Sequence, residues 1–218
     1  MNCNAVNKEK AFRLPVGVIE WGQRKMRNEG LHMRTDAEIM QIIDEAIKSI
    51  WVNEIRNDYE NRRLLKEDTL KNALYYHLRN RIGWLCDECD LRIFTEFTDG
   101  KFRGTGRIPD MVIARMDMKK DVQYWGHAVT ECLAVIEIKY KANAGAAKDI
   151  EDDCEKLRYY IEELKLESKL YMATIWECED DPTTWIRKNA AWAKGKVTEL
   201  NASLTLGERK SQFYVHVH

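Results

Sequence analysis

The chain reads as a mixed α/β domain: a central sheet of parallel and antiparallel strands flanked by helices, with a helical extension at the N-terminus. Three observations predict this. Apolar residues recur at helical spacing over about 35–58 and 66–82. The pattern then switches to period two in three successive segments between residues 90 and 140. Beyond them, helical and strand patterns alternate, as expected when parallel strands are joined by crossovers.

The elements follow in order. Thr35, followed by Asp36 and Glu38, has the pattern of an N-cap with an acidic first turn, and Ile39, Ile42, Ile43, Ala46, Ile47 and Ile50 form the stripe of the helix it opens. A second helix over about 66–82 places Leu70, Ala73, Leu74, His77 and Leu78 on one face. In DLRIFTEF, Leu91, Ile93, Thr95 and Phe97 alternate with Arg92, Phe94 and Glu96, so a strand is expected there. Asp99-Gly100, Gly104 and Gly106 mark the turn or loop after it. RIPDMVIAR (107–115) and CLAVIEIKY (132–140) read as the second and third strands. A helix over about 147–166, a strand at 169–176, a helix over about 183–199 and a strand at 212–217 complete the order. Residues 1–60 are thus an N-terminal arm and helix, and 61–218 the core, the whole forming one compact domain.

Composition narrows the class. A chain of 218 residues with 44% hydrophobic and 33% charged residues buries a sizeable core and is not a disordered linker. No segment has the apolar length of a signal peptide or a membrane span, so a cytoplasmic protein with no membrane partner is expected. Six scattered cysteines fit reduced thiols, and the CxxC pair Cys86 and Cys89 lacks a second pair to complete a zinc site. Net charge is −1, unevenly spread: residues 1–34 carry seven Lys/Arg against three Glu, and 149–181 carry twelve acids against four bases. A basic arm and a basic tail suit a polyanion, or they are ordinary solvated surface.

Two strands hold charges where their pattern asks for apolar residues. Asp110 stands among Ile108, Met111, Val112 and Ile113, and Glu137 and Lys139 interrupt the apolar run Leu133–Ile136 and flank Ile138. Charges in a covered sheet are costly unless paired or metal-bound. Period two puts Glu137 and Lys139 on one face, and neighbouring strands would bring Asp110 beside Glu137. Two carboxylates at bridging distance beside an ammonium are the equipment of metal-assisted phosphodiester hydrolysis. On the 66–82 helix, counting 100° per residue from Leu74, Glu67 falls about 20° from the buried stripe and Asp68 about 120° away. Glu67 is therefore the acid that the helix turns toward the sheet.

An acid on an early helix, then Pro109-Asp110 on one strand, then Glu137-Ile138-Lys139 on the next, 27 residues after Asp110, resembles the PD-(D/E)XK nuclease superfamily. The resemblance covers about residues 64–176 and includes the polar helix after the third strand. It implies a restriction-endonuclease-like core and a Mg²⁺-dependent nuclease acting on DNA or RNA, with Mn²⁺ as a substitute, leaving a 5′-phosphate. By position it implies that Asp110, Glu137 and the carbonyl of Ile138 ligate the metal, that Lys139 orients or deprotonates water, and that Glu67 holds a second metal or a metal-bound water. A homodimer is expected if both strands of a duplex are cut. A catalytically inactive relative, serving as a nucleic-acid or protein interaction module, is the alternative. Outside this set, Glu96 is expected to be exposed on an edge, Asp149 and Asp153 to be first-turn acids, and Lys156 to be a surface charge. His77, Tyr159, Tyr160, Trp185 and Trp192 are expected to pack in the core.

Overall fold

The computed structural model describes residues 34–141, 147–177, 184–186, 190–205 and 210–217. Residues 1–33 of the basic arm and three of the basic tail's six Lys/Arg, Arg187, Lys188 and Arg209, lie outside these residues. Helix α1 (Asp36–Ile50) opens on a capping box, in which Glu38 N–H donates to Thr35 Oγ1 and Thr35 N–H donates to the Glu38 carboxylate. A π-helical turn (Trp51–Ile55) continues it into α2 (Arg56–Glu60), and α3 (Glu67–Glu88) follows. The sheet consists of β1 (Leu91–Thr95), β2 (Met111–Met116), β3 (Val129–Lys141), β4 (Lys169–Trp176), β5 (Val197–Thr205) and β6 (Lys210–Val217), with α4 (Ala147–Glu162) between β3 and β4.

The strands lie side by side in chain order. β1, β2 and β3 form an antiparallel meander, β3, β4 and β5 run parallel, and β6 returns antiparallel. This is the expected mixed sheet flanked by helices. No helix of the described residues is long and apolar enough to cross a membrane.

Each face of the sheet has its own core. Met111, Ile113, Ala134, Ile136 and Ile138 pack with α1 and α3, whereas Val112, Ala114, Val135, Leu170 and Met172 pack with α4. The first core fixes α1 and α3 through the Ile stripe of α1 and Leu70, Leu74 and Leu78 of α3, all buried. Tyr171 of β4 also donates to Asp44 of α1 at 2.8 Å, across 127 residues of chain.

One expected element is overturned. The described part of 183–199 holds no helix; residues 191–196 turn, with Gly195 at φ 71°, and β5 begins at Val197. The strand presents Glu199, Asn201 and Ser203 to the α4 side, all buried, so its periodicity is not the usual apolar-in, polar-out alternation. The buried Glu199 carboxylate is tolerated because Thr184 Oγ1 (2.6 Å), Trp185 N (2.8 Å), Ile186 N (3.3 Å) and Asn201 Nδ2 (2.9 Å) all donate to it. The helix at 66–82 is also longer than expected, ending at Glu88.

Leu74, fully buried between α3 and the sheet, tests this packing. Leu74→Ala is expected to destabilise the protein by about 2–5 kcal/mol, measured as a lower urea midpoint with an unchanged slope.

Candidate active site

Register places the three charged strand residues. Met111 pairs with Ile136 across the antiparallel β2–β3 ladder, so the residue before β2, Asp110, stands level with Glu137. The ladder to β1 also extends past β2, with Glu96 N–H donating to Asp110 O at 3.1 Å and Phe97 N–H to Pro109 O at 3.3 Å, which fixes the main chain at Asp110. By alternation Asp110, Glu137 and Lys139 share the face of Val112 and Val135, the α4 side. Asp110 Oδ2 accepts from the N–H of Ile138 at 2.8 Å, joining the two strands at the site. The Ile138 side chain packs on the opposite face.

The helices complete the cluster. Tyr140 donates to Glu177 at 2.9 Å and to Leu64 O at 3.3 Å, holding the chain just ahead of α3. Thr69 Oγ1 accepts from Leu65 N and Lys66 N at 2.9 and 3.1 Å, which closes the first turn of α3. Glu67 then reaches Lys139 Nζ at 3.2 Å, while Asp68 points outward to Lys66, as the helical angles predict. One turn on, Lys71 Nζ lies 3.0 Å from Asp110 Oδ1 and also pairs with Glu96. From α4, Lys156 Nζ meets Glu137 Oε2 at 2.5 Å, Tyr160 donates to Glu137 Oε1 at 3.0 Å, and Asp153 Oδ2 lies 3.0 Å from Lys139 Nζ.

The structure therefore brings together Asp110, Glu137, Lys139 and Glu67 and adds Lys71, Glu96, Asp153, Lys156 and Tyr160. Lys156 is not a surface charge, and Asp153 is not merely a first-turn acid; both are turned inward. Their positions follow the stripe of α4, since Ile150, Asp153, Cys154, Leu157, Tyr160 and Ile161 recur at helical spacing and all are buried. That spacing was the signal for Asp153, and Lys156 shares its turn. Lys71, four residues after Glu67, was signalled in the same way by α3. Glu96 is largely exposed as expected, yet its carboxylate touches the cluster through Lys71. Tyr160 is a core residue whose hydroxyl serves the site. His77 is only partly buried rather than in the core and is satisfied by Asp58 at 2.8 Å, and Trp185 packs edge-on against Trp176.

Electrostatics follow from burial. Glu137 is 0% exposed, and desolvation pushes its pKa well above the ordinary carboxylate value; Lys156 opposes the shift, while Asp110 and Asp153 add to it. Burial works to lower the pKa of Lys139, but Asp153 and Glu67 outweigh it and hold the ammonium above the ordinary lysine value. Lys71, likewise opposed by burial, is pushed up to about 12 by Glu96 and Asp110. All three lysines are held as cations. The cluster holds five carboxylates, those of Glu67, Glu96, Asp110, Glu137 and Asp153, against the ammoniums of Lys71, Lys139 and Lys156. The presence of two oxygen-donor carboxylates on one face, Asp110 and Glu137, fits a hard divalent cation. Among the described residues no group of three or more His, Cys, Asp or Glu converges for metal binding, and Cys86, Cys89, Cys132 and Cys154 are free thiols.

No family model, curated protein or solved structure matches the chain.

The raised pKa of Glu137 has a definite sign in stability. Below its ordinary pKa of 4.5 both folded and unfolded chains hold the proton; above it, the folded chain alone retains it until its own higher pKa is passed. This group's contribution to stability is thus lost as pH rises through that window, by at most about 1.4 kcal/mol per pH unit. In EDTA, the wild type should lose more stability than Glu137→Gln between pH 4.5 and 7.5, compared by urea midpoints; parallel curves would refute the shift.

Proposed function

We propose that this chain is a divalent-metal-dependent nuclease of the PD-(D/E)XK kind that hydrolyses phosphodiester bonds in DNA. RNA is the second candidate substrate, and the products carry a 5′-phosphate and a 3′-hydroxyl. The observation that carries this reading is the meeting of Asp110, Glu137 and Lys139 on one face of the sheet, with Asp110 hydrogen-bonded to the main chain between the other two. Asp110 and Glu137, with the Ile138 carbonyl, would hold Mg²⁺ or Mn²⁺, and Glu67 a second ion or its water. The ion supplies charge neutralisation at the phosphate and a more acidic water.

The chain's own residues divide the remaining work. Lys139, held cationic by Asp153 and Glu67, is suited to orienting the attacking water and to stabilising charge that develops on a non-bridging phosphate oxygen. Its raised pKa argues against a role as proton acceptor while those two acids hold it. Tyr160 and Lys156 fix the orientation of the Glu137 carboxylate, and Lys71 does the same for Asp110. The free thiols among the described residues support the reducing setting of a cytoplasmic enzyme. A homodimer would serve double-strand cleavage.

The lysine contacts already made by both carboxylates also favour a second reading, a metal-free interaction module that keeps the fold without the chemistry. Cleavage of labelled linear, circular, forked and single-stranded substrates separates the two. Activity is expected only with Mg²⁺ or Mn²⁺. It should fall at least about 100-fold in Lys139→Ala and in Asp110→Asn, the scale of losing one transition-state contact, with unchanged circular dichroism. Full activity in both variants would end the proposal, and calorimetry showing no divalent-ion uptake would favour the module.

A further inference from the structure

The lysines of the site are each matched to carboxylates; the arginine at its rim is not. Arg107 stands three residues before Asp110, half-buried in the segment leading to β2. Its guanidinium lies over the ring of Tyr159 on α4, 4.3 Å from the ring centre, and Nη1 donates to Glu155 O at 3.4 Å. Among the described residues no acid forms an ion pair with it, although Lys71, Lys139 and Lys156 all have such partners. Its own carbonyl accepts from the Tyr160 hydroxyl at 3.4 Å, the same hydroxyl that donates to Glu137 Oε1 at 3.0 Å. One tyrosine thus ties the main chain of Arg107 to the buried carboxylate, and the adjacent tyrosine lies beneath its guanidinium.

A guanidinium carries five N–H donors in a rigid fork whose geometry matches a phosphate. Here a carbonyl takes one donor and an aromatic ring lies beneath the group, which leaves a positioned cation, without an ion-pair partner among the described residues, on a residue three before Asp110. Stacking also lowers the entropy lost when the fork is engaged. We propose that Arg107, held over the ring of Tyr159, binds the backbone phosphate next to the one that is cut and so sets the register of the strand over Asp110 and Glu137. The assignment rests on the nuclease reading above and extends it, making Arg107 a substrate-anchoring residue.

Fluorescence anisotropy with a labelled oligonucleotide, using the full chain in EDTA so that no cleavage competes, tests this across a salt series. Arg107→Gln should weaken binding about tenfold and reduce the slope of log affinity against log salt by about one, the loss of one phosphate contact. Arg107→Lys should restore the slope but only part of the affinity, because the charge returns without the fork. Tyr159→Leu should keep the slope while weakening binding severalfold. With Mg²⁺, Arg107→Gln should raise KM more than it lowers kcat and should scatter the cleavage positions. Urea midpoints identify any variant that is simply misfolded, and the lysine variant then decides. Wild-type affinity and slope in Arg107→Gln overturn the anchor while leaving the nuclease reading intact. A wild type that neither binds nor cuts any of the substrates removes both.

Discussion

A carboxylate wholly out of water in the middle of a sheet sets the terms for everything around it. Glu137 makes no contact with solvent, and an isolated ionised group there would be prohibitively costly. Its neighbours answer that cost in two ways: Lys156 supplies the opposite charge and Tyr160 a hydroxyl, both from α4. α4 must therefore lie across this face at this height, which brings Asp153 onto Lys139 as well. The same logic holds one strand over, where Asp110 is met by a lysine of α3 and a main-chain N–H of β3. Both acids of the site are thus answered by a lysine from a helix.

Such networks are expensive unless completed, and apolar replacements often stabilise a fold more. A cluster of five acids and three lysines at the ends of the central strands is therefore weak as a device for stability. On the proposed reading, its acids would serve cation binding and its lysines phosphate binding.

Much of this was legible in the sequence, and the reason is contrast. Asp110, Glu137 and Lys139 stand out because their strands are otherwise apolar, and Glu67 because its helical angle follows a stripe of leucines. Contrast failed where polar residues were the rule. In β5 the alternating Glu199, Asn201 and Ser203 face a covered side, and nothing local reveals that distant loop amides satisfy the carboxylate. The inward turn of Lys156 was legible only through the stripe on which Asp153 sits. Arg107 carried no signal at all: the ring that fixes it lies 52 residues away, and only the assembled fold brings the two together.

The tie between Asp44 and Tyr171 has a consequence in time. The first core is built from helices made early and strands made late, so α1 leaves the ribosome long before β4 exists. At about 5–20 residues per second, the 127 intervening residues take roughly 6–25 s to synthesise. Throughout that interval the isoleucine stripe of α1 has only α3 and the first strands to cover it. The native cover of that stripe can be completed only after this delay.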